Sequence, residues 1–156
     1  MAEAKGRRVN RSTTIRASAA RVLEAFLDAE LMKQWWGATR ALVEPRKGGI
    51  WAAAWGEPGQ GYRYVVSGVV KSLKPAKRLK LDPLVYFNWE RPVLGPMRLG
   101  ISVREKDGLT RVSVRQDGYG DGPDWDWYYE AVVKGWRDAL ANLKEFLEGA
   151  LPKKPP

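Results

Sequence analysis

Hydrophobic and polar positions alternate with a period of two along much of the chain, which is the pattern of strands with one buried face. The clearest cases are two neighbouring stretches, residues 97–105 and 110–116, which a short turn separates. Their inward positions are Met97, Leu99, Ile101, Val103, Val112 and Val114. Such one-sided alternation predicts an antiparallel sheet whose other face contacts water.

Similar patterns predict the remaining strands and two short helices. Strands are expected over residues 9–16, 38–45, 50–55, 62–73 and from 78 onward. Residues 90–96 are expected to form a loop, because they include two prolines and a glycine. Ser18 is the expected N-cap of a short helix over residues 19–27. A second short helix is expected over residues 30–35, ending at Gly37.

The strongest pattern is a helix over residues 124–148, where apolar residues recur at steps of three and four. Its stripe consists of Trp125, Tyr129, Val132, Trp136, Leu140, Leu143 and Leu147. A helix of this length spans roughly 37 Å. The sheet must therefore curve around it, and we predict an α+β domain in which the C-terminal helix closes a curved antiparallel sheet over an apolar cavity.

Composition narrows the chemistry available to this domain. The 156 residues include neither cysteine nor histidine, which excludes disulfides, thiolate metal sites, a cysteine nucleophile and Ser-His triads. The acidic residues Asp117, Asp121, Asp124 and Asp126 do not follow the EF-hand spacing. Neither a metal site nor a cofactor is predicted.

The net charge of +9 is concentrated toward the two ends of the chain. We expect a basic flexible N-terminus over residues 1–8, one domain over residues 9–149 and a flexible Pro/Lys tail over residues 150–156. No nucleic-acid-reading motif accompanies the charge, so a specific nucleic-acid partner is not expected. Without an apolar run long enough for a membrane span or a signal peptide, a cytoplasmic location is expected.

Six short motifs resemble those of a known family. They are Trp35-Trp36-Gly37, Gly48-Gly49-Ile50-Trp51, Gly68-Val69-Val70, Pro75-Ala76-Lys77-Arg78-Leu79, Thr110-Arg111-Val112, and Gly135-Trp136 with Leu140 and Leu143-Lys144. In this order they resemble the helix-grip, START-like domains of the SRPBCC superfamily. The chain is most similar to the group named after the activator of the heat-shock-protein-90 ATPase.

This resemblance implies a β-α-α-β6-α domain whose seven-stranded sheet grips the last helix. Members usually hold a cavity between sheet and helix, and many bind lipids or other apolar molecules there. A minority are cyclases or dehydratases, and a few assist the chaperone. The chain departs from the family pattern over residues 82–96, which are longer and richer in apolar residues than the usual strand.

Candidate cavity residues follow from strand parity, helix periodicity and this resemblance. Eight tryptophans is a large number for this length, and Trp51, Ala53 and Trp55 share one strand face. Gln116 continues the parity of Val112, which places an amide among apolar neighbours. The predicted cavity residues are Trp36, Trp51, Ala53, Trp55, Tyr64, Leu99, Ile101, Val112, Gln116, Tyr129, Val132 and Trp136.

These residues predict binding of a small apolar, aromatic or lipid-like molecule between the sheet and the long helix. Two alternatives stay open at this point. The same cavity would serve a cyclase or dehydratase, with a tyrosine or carboxylate as the acid. The outer sheet face and basic ends would serve a domain that interacts with a chaperone.

Overall fold

A computed structural model of the chain describes residues 6–57 and 59–149. Most of the two segments expected to be flexible, residues 1–5 and 150–156, lies outside these ranges. Arg7 and Arg8 are described and belong to the domain. Arg8 begins the first strand, and the Arg7 guanidinium donates hydrogen bonds to Asp126 Oδ1 and to the Gly120 carbonyl, both at 3.0 Å. The domain therefore includes residues before the predicted boundary at Val9.

Seven strands and three helices follow in the predicted β-α-α-β6-α order. They are β1 (Arg8–Ile15), α1 (Ala19–Glu24), α2 (Ala29–Trp36), β2 (Arg40–Val43), β3 (Ile50–Glu57), β4 (Gly61–Lys74), β5 (Arg78–Phe87), β6 (Leu94–Lys106), β7 (Leu109–Asp117) and α3 (Pro123–Leu147). The strands form one antiparallel sheet in the order β1-β7-β6-β5-β4-β3-β2. This confirms the helix-grip architecture expected from the sequence.

Local side chains fix the ends of the two short helices. Ser18 accepts a hydrogen bond from the Arg21 amide and caps α1, as predicted, although α1 ends at Glu24 rather than at residue 27. Asp28 caps α2 in the same way. Helix α2 ends at Gly37, whose φ of 76° is the left-handed conformation that glycine adopts readily.

The predicted loop over residues 90–96 is too long, because strand β6 already begins at Leu94. Leu94 is buried and pairs with Tyr86 on β5. The register between β5 and β6 is irregular around Leu84, and such an irregularity accommodates Pro96, which has no amide hydrogen to donate. Proline content alone therefore underestimated the length of this strand.

Helix α3 buries a face that differs from the predicted stripe at its N-terminal end. The buried residues are Tyr128, Trp136, Ala139, Leu140, Leu143 and Leu147, whereas Trp125 and Tyr129 are only partly buried. Its C-terminal part belongs to a closely packed core, and α1 also covers β6 and β7. None of the helices in the described ranges is long and apolar enough to cross a membrane.

Leu143 provides a test of this packing. Its side chain is fully buried, so Leu143→Ala removes core contacts and leaves a cavity, and we expect it to lower the free energy of unfolding by about 2–5 kcal/mol. The measurement is urea denaturation followed by circular dichroism. Leu42→Ala is the control, because Leu42 is 57% exposed on edge strand β2. A similar loss in both variants would contradict the proposed position of the core.

Candidate functional site

A cavity of about 620 Å³ lies between the long helix and the concave face of the sheet. Strands β3 to β7 supply one wall, and α2 and α3 supply the other. The lining residues are Trp36, Trp51, Trp55, Arg63, Tyr64, Val66, Leu84, Tyr86, Asn88, Trp89, Glu90, Leu99, Gln116, Trp127, Tyr128, Ala131, Val132, Gly135, Trp136, Asp138, Ala139 and Asn142.

Trp36 lies at the centre of a cluster of aromatic rings at one end of the cavity. As the last residue of α2, it stacks on Trp35 with ring centroids 4.7 Å apart. It also contacts Trp55 edge to face at 5.5 Å and Trp136 at 5.4 Å. Aromatic pairs at such separations add to the stability that burial alone gives. The cluster joins α2, the sheet and α3 into one wall.

Hydrogen bonds from indole nitrogens hold several of these rings in place. Trp51 Nε1 donates to the Phe26 carbonyl at 2.8 Å, and Trp35 Nε1 donates to the Ala25 carbonyl at the same distance. Trp55 Nε1 donates to the Trp36 carbonyl at 3.2 Å. An indole has a single polar hydrogen, so each bond fixes the ring orientation. The cavity wall is consequently formed before any ligand arrives.

Tyrosines extend this wall along strands β4 and β5 to the helix. Tyr64 stacks on Trp55 at 5.1 Å and contacts Tyr86 at 6.0 Å. Tyr86 in turn lies 4.5 Å from the Tyr128 ring on α3. Rings with polar hydroxyls thus continue the wall that the tryptophans begin.

The helix wall of the cavity contains small residues. Ala131, Gly135 and Ala139 lie four residues apart, on one side of α3. No atom lies within 4 Å of the position that a Gly135 Cβ would occupy, apart from its own helix and chain neighbours. Gly135 is itself exposed, so the space beside α3 is open to solvent at this side of the cavity. This spacing is present in the sequence. The apolar stripe of the helix is defined by its large residues, however, and does not reveal the small ones.

The rim of the cavity combines exposed aromatic and charged side chains. Trp89, in the segment between β5 and β6, is 80% exposed. The Arg91 guanidinium lies 3.8 Å from the centre of the Trp127 ring and donates to Asp124 Oδ1 at 2.9 Å. Arg63 is an exposed cation at the same rim. The rim thus offers a ligand an indole surface and charges that remain in water.

Gln116 supplies the polar group at the buried part of the cavity. Trp136 Nε1 donates to Gln116 Oε1 at 3.0 Å, and Gln116 Nε2 donates to Tyr128 Oη at 3.4 Å and to Met97 Sδ at 3.5 Å. The sequence placed this amide among apolar neighbours. Its partners are side chains, because Trp136 and Tyr128 of α3 both reach it.

Burial raises the pKa of the cavity tyrosines, which are already protonated at neutral pH. Desolvation raises the pKa of Tyr128 well above its ordinary value, although the hydrogen bond from Gln116 opposes this. Desolvation likewise raises the pKa values of Tyr64 and Tyr86. These hydroxyls therefore act as neutral hydrogen-bonding groups near neutral pH.

Eight of the predicted cavity residues line the cavity. They are Trp36, Trp51, Trp55, Tyr64, Leu99, Gln116, Val132 and Trp136.

The other four predicted residues lie elsewhere. Ala53, Ile101 and Val112 are buried in the core, where inward parity leads to contact with other side chains and not to open space. Tyr129 turns away, packing beside the Arg7 guanidinium at 5.0 Å and donating to the Arg8 carbonyl at 3.2 Å. Helix period alone could not decide between Tyr128 and Tyr129 as the ring that faces the cavity.

The acidic residues near the start of α3 pair with arginines. Asp117 Oδ1 accepts from Arg98 Nε at 2.7 Å, Asp124 pairs with Arg91 and Asp126 with Arg7. The described ranges contain no cluster of three or more acidic side chains able to hold a metal ion.

A curved antiparallel sheet that grips a long C-terminal helix over an aromatic cavity defines the helix-grip, START-like class of proteins. Residues 16–148 match the family described as Activator of Hsp90 ATPase homolog 1-like protein. The chain belongs to this family. No curated protein matches the sequence.

Solved structures with the same fold come from several sources. Protein CV1439 from Chromobacterium violaceum is 20% identical, with a TM-score of 0.70 over 90% of this chain and 97% of that one. The Aha1 dimer from Colwellia psychrerythraea is 16% identical, with a TM-score of 0.68 over 91% and 96%. DynU16, from the dynemicin biosynthetic locus, is 18% identical, with a TM-score of 0.70 over 95% of this chain and 49% of that one. At these identities the similarity concerns the fold.

The burial of Tyr128 predicts its titration behaviour. Because its pKa is higher in the folded than in the unfolded chain, the Tyr128 contribution to stability is present below about pH 10 and is lost as the pH rises further. In the folded protein, Tyr128→Phe should leave the tyrosinate absorbance unchanged up to about pH 11, because Tyr128 is still protonated there. In guanidinium chloride the same variant should lack the signal of one of the six tyrosines.

The measurement is ultraviolet absorbance during an alkaline titration, with circular dichroism to verify that the fold is retained. A loss of tyrosinate signal in the folded variant below about pH 11 would show that the Tyr128 hydroxyl is solvated.

Proposed function

We propose that this protein binds a small apolar molecule, aromatic or lipid-like, in the cavity between the sheet and α3. The observation that carries the proposal is a cavity of about 620 Å³ whose aromatic wall faces small residues on the helix. Cavities that hold small molecules typically measure about 300–1,000 Å³ and combine apolar walls with few polar groups.

The wall gives a physical source of affinity. Each square ångström of apolar surface that leaves water contributes about 25 cal/mol, and flat rings add stacking contacts. Since the indoles of Trp51 and Trp55 are already held by backbone carbonyls, little side-chain freedom is lost when a ligand enters. Preorganisation of this kind increases affinity because less entropy is lost on binding.

Gly135 supports the same function. Glycine inside a helix is less stable than alanine by about 1 kcal/mol, and no close neighbour requires its small size. Gly135 is exposed and lines the cavity, so a mid-helix glycine here keeps the exposed side of the cavity open at the expense of helix stability. A domain that used only its outer surface would gain nothing from this arrangement.

The enzyme alternative has weaker support. In the part of the chain that the structure describes, the buried polar residues other than tyrosine and tryptophan are Thr110 and Gln116, and no buried residue carries a charge. Glu90 and Asp138, at the cavity rim, are both exposed. A carboxylate needs desolvation to act as an acid near neutral pH, and neither residue has that environment.

The protein-interaction alternative depends on the outer face of the sheet. A groove of about 350 Å³ there contains Lys71, Lys80, Arg98 and Arg115. Acidic neighbours take up part of this charge, since Lys71 lies 3.6 Å from Asp82 and Arg98 lies 2.7 Å from Asp117. The inner cavity is a more specific feature than this partly neutralised surface, and we therefore prefer the small-molecule function.

Gly135 also provides the test. Gly135→Leu adds a branched side chain at the exposed side of the cavity while raising helix propensity, so we expect it to weaken binding of N-phenyl-1-naphthylamine by roughly tenfold or more. Gly135→Ala is the matched control, because it gives a similar gain in helix propensity with a single methyl group. Probe fluorescence measures binding, and urea denaturation measures stability.

We expect both variants to unfold at higher urea concentration than the wild type, which separates occlusion of the cavity from damage to the fold. Equal affinity for the probe in all three proteins would place its binding site elsewhere. No binding to the wild type would count against the proposed function itself.

A further inference from the structure

The hydrogen bond from Trp136 determines how the Gln116 amide is oriented. An indole nitrogen can only donate, so the amide oxygen must face Trp136 Nε1, which lies 3.0 Å away. The amide NH₂ group then faces Tyr128 Oη at 3.4 Å. Tyr128 consequently accepts this bond, and its own hydroxyl hydrogen has no acceptor among the described residues.

A second amide has the same effect on Tyr86. Asn88 Oδ1 accepts from the Glu90 backbone amide at 2.9 Å, which fixes the orientation of the side chain. Asn88 Nδ2 then donates to Tyr86 Oη at 3.0 Å. Across residues 6–57 and 59–149, no side chain or carbonyl accepts the Tyr86 hydroxyl hydrogen either.

The two tyrosines are neighbours on the cavity wall. Their ring centroids lie 4.5 Å apart with 38° between the ring planes, and both residues line the cavity. Each carries a hydroxyl that accepts from an oriented amide and retains a hydrogen to donate. Two unused donors from different elements, β5 and α3, thus belong to neighbouring rings of a largely aromatic wall.

We propose that Tyr86 and Tyr128 form a paired donor site for one uncharged oxygen of the ligand, which makes the ligand an aromatic ketone or quinone rather than a plain hydrocarbon. This inference rests on the proposed function and adds to it the chemical class of the ligand. A carbonyl oxygen has two lone pairs and can accept both hydrogen bonds.

The surrounding groups favour this chemistry over a ligand that only donates. A hydroxyl hydrogen is satisfied only by an acceptor, and a buried donor without one costs free energy. Donation from the amides polarises both hydroxyls and strengthens them as donors. A tyrosine hydroxyl keeps its hydrogen across the neutral range, and burial raises the pKa of both residues further above it.

Fluorene and 9-fluorenone provide a matched pair of probes, since they share one tricyclic frame and differ by a single carbonyl oxygen. We expect the wild type to bind 9-fluorenone roughly tenfold more tightly than fluorene. Tyr128→Phe should remove most of this difference by weakening 9-fluorenone alone, and Tyr86→Phe should act in the same direction. Equilibrium dialysis measures both affinities.

Tyr129→Phe is the matched control, because it removes a hydroxyl from the next residue of α3, outside the cavity. It should leave both affinities unchanged. Fluorene binding also reports on the fold of each variant, since fluorene uses the cavity without the donors.

The outcomes separate the two proposals. If fluorene binds and 9-fluorenone binds no more tightly, or if Tyr128→Phe weakens both probes equally, the paired donor site is refuted while the binding function stands. If the wild type binds neither fluorene nor 9-fluorenone, the paired donor site fails, and the proposed function fails with it if N-phenyl-1-naphthylamine does not bind either.

Discussion

Trp136 donates its indole hydrogen to Gln116 Oε1 across 3.0 Å, where the long helix passes over strand β7. This bond determines much of the site. The large ring of Trp136 fills the space at its own position, whereas the preceding residue, Gly135, leaves open space at the cavity wall. Because the indole can only donate, the bond also orients the amide and directs its NH₂ group toward Tyr128. The contact between Trp136 and Gln116 thereby links the position of α3, the open space beside Gly135 and the direction of the hydrogen bond to Tyr128.

The walls keep the cavity from collapsing. An empty apolar space costs stability because the surrounding groups relax only partly into it. Here relaxation is restricted further, since Trp51 and Trp55 are hydrogen-bonded to carbonyls of the helical segment before β2. Trp36 packs among the rings of Trp51, Trp55 and Trp136. An aromatic cluster that stabilises α2 against the sheet therefore also maintains an open space for a ligand.

Element order and strand parity could be predicted from the sequence because they depend on local periodicity. The limits of β6 and the facing ring of α3 could not, since they depend on packing between elements. Tyr128 and Tyr129 are adjacent and similar, and the packing of α3 places Tyr128 beside Gln116 and Tyr129 beside Arg8. Similarly, Ile101 and Val112 have the inward parity of Leu99, but all of their surface is covered in the core. Strand parity predicts which face of the sheet a side chain occupies. It does not predict how far that side chain lies from the opposing wall of the cavity.

The distribution of charge along the cavity restricts how a ligand enters. Glu90 and Arg63 lie at the exposed rim, whereas Gln116 and Tyr128, at the buried part, are uncharged. Burying an ionised group without a partner costs several kcal/mol or more, so a carboxylate end is better placed at the rim, where Arg63 is available. An uncharged carbonyl costs less to bury, and hydrogen bonds from the two unused hydroxyls would offset that cost. On the proposed arrangement, the oxygen-bearing end enters first and the hydrocarbon end lies beside Trp89, which is the opposite of the orientation expected for a fatty acid.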